Sequence, residues 1–212
     1  MAYDTIDVVI PARNEQGTIS DILTVLSGHP AIGSIIVGID ADSIDNTETL
    51  LIQKWCHLPN LFLTFGEKGK GQVVKKCLNL VMSPSVMFCD ADITGLTYDH
   101  VSELLADTVI DDDANHAGMT IGVPDFPPNY PRQRMWAWPW VSGQRVVPTA
   151  LVRPLNLHGY LMEVQINTAV KHASLPLHFV WLEGVKSKYQ MSELRVNEMQ
   201  RDAQWGREHG VL

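Results

Sequence analysis

Short apolar runs alternate with amphipathic segments through the first 90 residues. The runs are too short for helices and predict buried strands: Ile6–Ile10, Ile35–Val37, Leu61–Thr64 and Val86–Cys89. Apolar residues at helical spacing predict helices between them, beginning at Gly17–Thr18 and covering Thr47–Trp55 and Gly69–Leu80. Because strand and helix alternate with a period of about 27 residues, we expect an α/β fold with one mostly parallel sheet flanked by helices.

The second half of the chain has a less regular pattern. We expect strands at 117–123 and 179–182, an irregular loop at 124–139, and helices at 157–172 and 193–208. The whole chain, 1–212, is interpreted as one domain with a nucleotide-sugar half at 1–113 and a smaller acceptor half at 114–212. The acidic run Asp111–Asp113 near that boundary is interpreted as a solvated turn.

Composition and charge narrow the class of protein. The 212 residues are 45% hydrophobic and 19% charged, which is typical of a globular domain and argues against disorder. The net charge of -8 argues against a non-specific nucleic-acid binder. No apolar run is long enough to span a membrane and the first residues do not resemble a signal peptide, so we expect a cytoplasmic protein. The three cysteines are widely spaced, which predicts neither a zinc cluster nor a disulfide framework.

Polar segments follow three of the predicted strands. They are Pro11-Ala12-Arg13-Asn14-Glu15, Asp40 to Thr47, and Asp90-Ala91-Asp92. The first two also fit the beginning of a helix or a turn with capping residues. In the third, the carboxylates at positions 90 and 92 would repel each other without a cation between them. Since ligands of open parallel sheets bind beyond the carboxyl ends of the strands, this segment predicts a site for Mg²⁺ or Mn²⁺.

A glycine-rich segment, Gly66-Glu67-Lys68-Gly69-Lys70-Gly71, precedes a predicted helix. Glycine permits close approach of a ligand to the backbone, and a helix N-terminus favours anions. The spacing of a Walker phosphate loop is missing, and the alternative interpretation is a flexible loop.

These segments, in this order, resemble the family 2-like glycosyltransferases, which have a GT-A fold. Val8 to Glu15 looks like the family's opening "VVIPAxNE", and Asp40 to Thr47 is similar to its "DDGSxDxT". Gly69-Lys70-Gly71 matches a "GKG" element, and Asp90-Ala91-Asp92 matches the DxD motif. The resemblance implies a transferase that takes a hexose from a UDP-sugar bound with Mg²⁺ or Mn²⁺.

The second half has a narrower likeness to the glucosyl-3-phosphoglycerate synthase branch of these enzymes. It is carried by Ser142 to Arg145, Gly159 to Glu163 and Gly184 to Lys186. That branch uses UDP-glucose and Mg²⁺. The chain departs from it where a metal-binding histidine is expected, because it has Lys186-Ser187-Lys188 there. Either lysine could hold a diphosphate by charge. His172 and His178 are the nearest histidines in sequence.

The resemblance also implies roles for individual residues. The donor nucleotide would lie against Asp90, Ala91, Lys70 and a uridine pocket formed by Pro11, Ala12, Arg13, Asn14, Glu15 and Asp40. Asp92, with Asp90, would bind the metal. Glu163 would act as acid/base or orient the sugar, the alternative being a helix cap, and Lys188 would assist catalysis. Ser142, Gly143, Arg145 and Tyr160 would bind the acceptor, which is a small phosphorylated acid, a modified nucleobase in DNA, a protein or a lipid.

Two alternative functions and one unusual segment remain. A sugar-phosphate nucleotidyltransferase would share the sheet and the metal, but such enzymes begin with a long glycine-rich loop. A non-catalytic nucleotide-sugar-binding protein would fit the missing histidine and the altered Asp40-Ala41-Asp42. The tryptophans of Trp136-Ala137-Trp138-Pro139-Trp140 would stack on a sugar or base, or form core or homodimer contacts.

Overall fold

The computed structural model describes residues 5–106, 118–126 and 139–188, together with positions 197, 200, 201, 204, 207 and 208. The strands are β1 (Ile6–Ala12), β2 (Ile32–Ile39), β3 (Leu61–Thr64), β4 (Ser85–Phe88), β5 (Ile93–Thr94), β6 (Met119–Asp125), β7 (Gln144–Pro148) and β8 (Leu177–Ser187). The α-helices are α1 (Ile19–Gly28), α2 (Thr47–Leu50), α3 (Lys70–Leu78), α4 (Tyr98–Ala106), α5 (Thr149–Val152) and α6 (Met162–His172). A π-helical turn, Leu51–Trp55, continues α2, and 3₁₀ turns lie at Pro139–Val141 and Gly159–Leu161.

All eight strands form one sheet in the order β3-β2-β1-β4-β7-β6-β8-β5. Strands β1 to β4 are mutually parallel, and β6 and β8 run in the same direction. Only β7, between β4 and β6, and the short β5 run antiparallel to them. The predicted α/β fold with a mostly parallel sheet is confirmed. The division into two halves at residue 113 stays a prediction. Strands β4 and β7 come from the two proposed halves and pair directly in the sheet.

Helices cover both faces of the sheet, as the apolar strand pattern requires. On one face, α1, α2 and α4 pack on a core that includes Ile10, Leu23 and Leu104. On the other face, α3, α5 and α6 pack on a core that includes Phe88 and Ile166. In the part of the chain that the structure describes, no helix is long and apolar enough to span a membrane.

The elements that the sequence did not predict lie between residues 93 and 152. Strand β7 occupies residues interpreted as an acceptor loop, and β5 and α4 were not expected. The helix expected at 157–172 begins only at Met162, after the 3₁₀ turn. The calls for Asp111–Asp113, for Trp136 and Trp138, and for most of the loop at 124–139 lie outside the described residues. In the segment 193–208, the described positions are helical and exposed.

Asp7 in β1 is hydrogen-bonded to β2 and to the turn before β4 at the amino edge of the sheet. Its carboxylate accepts hydrogen bonds from the backbone N–H groups of Ser34 (2.8 Å), Met82 (2.7 Å) and Ser83 (3.0 Å). Burial alone would raise the pKa of Asp7, but these hydrogen bonds outweigh it and lower the pKa below its ordinary value. The charged carboxylate therefore stabilises the folded state.

Replacing Asp7 with asparagine is expected to lower the free energy of unfolding by about 2–3 kcal/mol, because the amide NH₂ group faces N–H donors. Since the folded-state pKa is lowered, this stabilisation is present above the pKa of the unfolded carboxyl group and is lost as the pH falls through the folded-state pKa. Urea unfolding at neutral and acidic pH measures both effects. The control is Glu103→Gln, at an exposed position of α4. Equal effects of the two variants at neutral pH would contradict the prediction.

Candidate active site at the carboxyl edge of the sheet

The three predicted polar segments meet at one edge of the sheet. Strands β2, β1 and β4 are neighbours and parallel, so the segments that follow them emerge side by side. Because β7 is antiparallel to β4, the residues that precede β7 begin at this same edge. The three polar segments and the residues before β7 therefore lie at the same edge of the sheet.

The segment after β1 is fastened to the segment after β2. Asn14 has a left-handed backbone (φ 61°), and its Oδ1 accepts hydrogen bonds from the amides of Ile44 (2.8 Å) and Asp45 (3.2 Å). The Glu15 amide donates to Oγ1 of Thr47 at 2.8 Å. These hydrogen bonds hold the two loops together at the carboxyl edge of the sheet.

Asp40 binds neighbouring backbone amides through its carboxylate, and the two alanines of the site are buried. Both carboxylate oxygens of Asp40 accept backbone amides, from Asp42 at 2.8 Å and from Gly69 at 2.9 Å. The side chains of Ala12 and Ala91 are packed in the core, whereas Pro11 and Arg13 are half-buried. Asp40 thus fixes the glycine-rich loop against the end of β2.

Lys70 connects the donor and acceptor sides of the site. It is the first residue of α3, and its Nζ lies 2.7 Å from Oδ1 of Asp90 and 2.6 Å from Oε1 of Glu163. Glu163 is in the first turn of α6 and is only 5% exposed. Two segments some 70 residues apart in sequence therefore share one ammonium group.

The charge of Lys70 is fixed by its partners. Burial alone would lower its pKa, but the carboxylates of Asp90 and Glu163 outweigh burial and raise the pKa above its ordinary value. Lys70 therefore stays protonated at any physiological pH. The start of α3, which carries Lys70, packs directly against the backbone of residues 157–159. Glycine is required at position 71 for this contact, since a Cβ there would collide with that backbone.

A second group of charges surrounds Asp92. The backbone carbonyl of Asp92 accepts a hydrogen bond from the Lys188 amide at 3.0 Å. The Lys188 Nζ lies 3.8 Å from Oε2 of Glu15. Burial, and then the charge of Asp92, raise the pKa of Glu15 to about 7. Asp92 and Glu15 are therefore neighbouring carboxylates, with Lys188 beside them.

These carboxylates suit a divalent cation, because Mg²⁺ and Mn²⁺ prefer charged oxygen ligands. Within residues 5–106, 118–126 and 139–188, no three His, Cys, Asp or Glu side chains are grouped closely enough to hold a metal by themselves. A metal here would also take oxygens from a bound diphosphate. His172 and His178 lie toward the amino edge, since His172 ends α6 and His178 pairs with Thr120 near the start of β6.

The predicted acceptor residues are more buried than the sequence suggested. The Ser142 hydroxyl donates to the carbonyl of Gly122 at 2.5 Å. Arg145 is 0% exposed, and its guanidinium donates to the carbonyls of Ser142 (2.7 Å) and Trp140 (2.7 Å) and to Oδ1 of Asn167 (2.5 Å). Arg145 is thus a buried residue whose guanidinium is hydrogen-bonded to groups of the protein itself.

The electrostatics of Arg145 agree with this arrangement. Burial lowers the pKa of Arg145 to about 10, and the charges of Glu163 and Asp90 oppose that fall. The backbone of Tyr160 lies in the 3₁₀ turn just before α6. The sequence showed Arg145 as a polar residue in a loop motif, and no signal in the pattern marked it as buried.

Gly143 sits against the DxD segment. A Cβ at this position would overlap the carboxylate of Asp90. Replacing Gly143 with alanine is expected to push Asp90 off Lys70 and to lower transfer activity about a hundredfold, because small displacements of reacting groups have large effects. Steady-state rates with circular dichroism as a fold check measure this. Gly28→Ala, at the open end of α1, is the control, and equal rates for both variants would contradict the expectation.

The fold defined by this sheet and site is the GT-A glycosyltransferase fold, as the sequence predicted. The structure is similar to solved glucosyl-3-phosphoglycerate synthase from Mycobacterium tuberculosis. With the complex containing Mn²⁺ and UDP-glucose, the TM-score is 0.76 at 19% identity, over 99% of this chain and 80% of that one. With the complex containing Mn²⁺, UDP and phosphoglyceric acid, the TM-score is 0.73 at 18% identity, over 93% and 75%.

A third complex of that synthase, with Mn²⁺, UDP-glucose and glycerol 3-phosphate, has a TM-score of 0.71 at 18% identity, over 93% of this chain and 76% of that one. No protein-family model and no curated protein sequence matches the chain. At this level of identity the similarity establishes the fold, and the activity has to be argued from the site.

Proposed function

We propose that the protein is a metal-dependent glucosyltransferase that uses UDP-glucose as its donor and a small phosphorylated acid as its acceptor. The observation that carries the proposal is the meeting of Asp90 and Asp92 with Lys70, Glu15 and Glu163 at the carboxyl edge of a GT-A sheet. The similar solved enzyme supports the choice of donor, because its complexes contain Mn²⁺ and UDP-glucose.

On the donor side, the chain must bind a diphosphate and stabilise it as it leaves. When bound, a divalent metal supplies Lewis-acid stabilisation of the leaving nucleoside diphosphate. Asp92 is the proposed metal ligand, with Asp90 beside it. Asp90 is held by Lys70 at 2.7 Å, and its backbone amide donates a hydrogen bond to Oε1 of Gln144 at 2.8 Å, so its position is set from both sides.

We assign Glu163 a positioning role in preference to general-base catalysis. A general base needs a carboxylate that is available to accept the proton of the acceptor hydroxyl. Oε1 of Glu163 is already 2.6 Å from the Lys70 ammonium. Holding Lys70 against Asp90 is what the geometry provides. A mechanism that needs no protein base at the acceptor hydroxyl, such as one that retains the anomeric configuration, is consistent with this arrangement.

The acceptor class rests on the similar enzyme and on the location of the acceptor segment. The solved complexes contain phosphoglyceric acid and glycerol 3-phosphate, both small phosphorylated molecules. The segment that precedes β7 lies against Asp90, so an acceptor bound there would be next to the donor. Since the Arg145 donors contact carbonyl groups inside the protein, we expect the acceptor charge to meet other cations, such as the exposed Lys186 and Lys188.

The test is a turnover assay with UDP-glucose, Mn²⁺ and a panel of phosphorylated hydroxy acids, measuring UDP release and the glucosylated product. We expect product with at least one acid and none after EDTA. A thermal-shift series supports the assignment if UDP-glucose raises the midpoint only with metal present. Pyrophosphate from UTP and glucose 1-phosphate would instead identify a nucleotidyltransferase, and tight UDP binding without any turnover a binding protein.

A further inference from the structure

Lys188 lies beside Asp92 and Glu15 at the carboxyl edge of the sheet. Its backbone is fixed beside the DxD segment by the 3.0 Å hydrogen bond from its amide to the Asp92 carbonyl. Its Nζ lies 3.8 Å from Oε2 of Glu15. The same Nζ is close to Gly17, since a Cβ at Gly17 would be 3.6 Å from it. The side chain therefore reaches from the end of β8 across to the segment that follows β1.

The two partners of this ion pair differ in burial and in hydrogen bonding. Glu15 is held by its amide hydrogen bond to Thr47 (2.8 Å) and by the Thr18 hydroxyl, which donates to Oε2 at 3.0 Å. Its side chain is 15% exposed, whereas the side chain of Lys188 is 44% exposed. An ion pair with one exposed, flexible partner is weak and opens easily. The carboxylate is therefore fixed, and the ammonium can leave it.

We infer that Lys188 is a built-in counter-ion that competes with the divalent metal for the Asp92 and Glu15 carboxylates. In the free protein its ammonium lies beside the Glu15 carboxylate, 3.8 Å from Oε2. When a divalent cation enters, the ammonium is displaced into solvent or toward the diphosphate. Lys188 thereby sets the metal affinity of the site, and Glu15 belongs to the metal environment as well as to the loop contacts. This inference rests on the proposed function in taking Asp92 as the metal ligand.

The test measures Mn²⁺ binding to the free protein, without donor or turnover, by calorimetry or by the loss of the free Mn²⁺ signal in electron paramagnetic resonance. Lys188→Met keeps the stem of the side chain and removes its charge. We expect it to bind Mn²⁺ about tenfold more tightly, because one positive charge near the metal is removed. Lys186→Met removes the same charge two residues away on exposed β8, and we expect a much smaller change.

An affinity that is unchanged or weaker in Lys188→Met would overturn the inference, as would equal gains in both lysine variants. Two further variants separate this outcome from failure of the proposed function. Asp92→Asn should abolish Mn²⁺ binding, and Glu15→Gln should weaken it. If the lysine variants behave as expected but no acceptor is glucosylated, the counter-ion role stands and the proposed activity is wrong. If Asp92→Asn binds Mn²⁺ normally, the assigned metal site is wrong, and the inference falls with it.

Discussion

Asp92→Asn is expected to reduce metal-dependent transfer from UDP-glucose on the order of a thousandfold, while the protein stays folded. The carboxylate follows β4 directly and is half-buried beside Glu15, where an amide oxygen is a poorer ligand for a hard cation. Without the metal, negative charge on the leaving diphosphate loses its main stabilisation. Initial rates at saturating Mn²⁺, with the thermal midpoint as the fold check, measure the effect.

Asp42→Asn is the matched control for that variant. Asp42 lies in the segment after β2 and forms an exposed ion pair with Lys68 at 2.8 Å, so its charge is well solvated. We expect its rates to remain within about twofold of the parent protein, since surface ion pairs contribute little. Full activity of Asp92→Asn, or equal losses in the two variants, would rule out the assigned metal ligand.

Lys70→Met is expected to lower the free energy of unfolding by about 3–5 kcal/mol, the effect of breaking a buried charge group on one side. The substitution leaves the carboxylates of Asp90 and Glu163 facing each other without their shared ammonium. For a chain of this size the melting midpoint should fall by roughly 10 °C. Urea unfolding and differential scanning calorimetry measure this loss.

Lys75→Met, on an exposed part of the same helix, is the control and should leave the midpoint nearly unchanged. The double variant Lys70→Met/Glu163→Gln should recover part of the lost stability, because it removes one of the unpaired charges. The deficit of Lys70→Met should also shrink as the pH falls, since protonation neutralises carboxylates that lack their partner. A deficit that is the same in the single and double variants would argue against the shared ion pair.

The first half of the fold follows from its sequence because local patterns decide it. Val8 and Val9, or Ile35 and Ile36, are consecutive buried residues in parallel strands, and an apolar run of that length has few other stable arrangements. Asp90 and Asp92 were predicted as site residues for a related reason, since neighbouring carboxylates at a strand end repel each other and a cation relieves this cost. The resemblance to GT-A enzymes added the order of the motifs.

The second half depends on contacts between distant residues. Strand β7 carries Arg145 between apolar neighbours, and its burial is made tolerable by the carbonyls of Ser142 and Trp140 and by Oδ1 of Asn167, which folding brings together. The sharing of Lys70 by Asp90 and Glu163 and the contact of Lys188 with Glu15 likewise join residues that are far apart in sequence. Such pairs leave no periodic pattern in the sequence. The sequence therefore indicated these residues as members of the site but did not indicate which of them contact each other.

The position of β7 in the sheet also has a consequence for how the protein folds. The β1–β2 and β2–β3 pairings join strands that are neighbours along the chain and close short loops, whereas the β1–β4 pairing spans about 80 residues and the β4–β7 pairing joins Ser85 to Pro148 across about 60. Such closures slow folding because chain entropy is lost before the contacts form. The pairing also brings Gln144 to the amide of Asp90. We therefore expect catalytic competence to appear in a late kinetic phase, after the bulk of the helical signal, during refolding from denaturant.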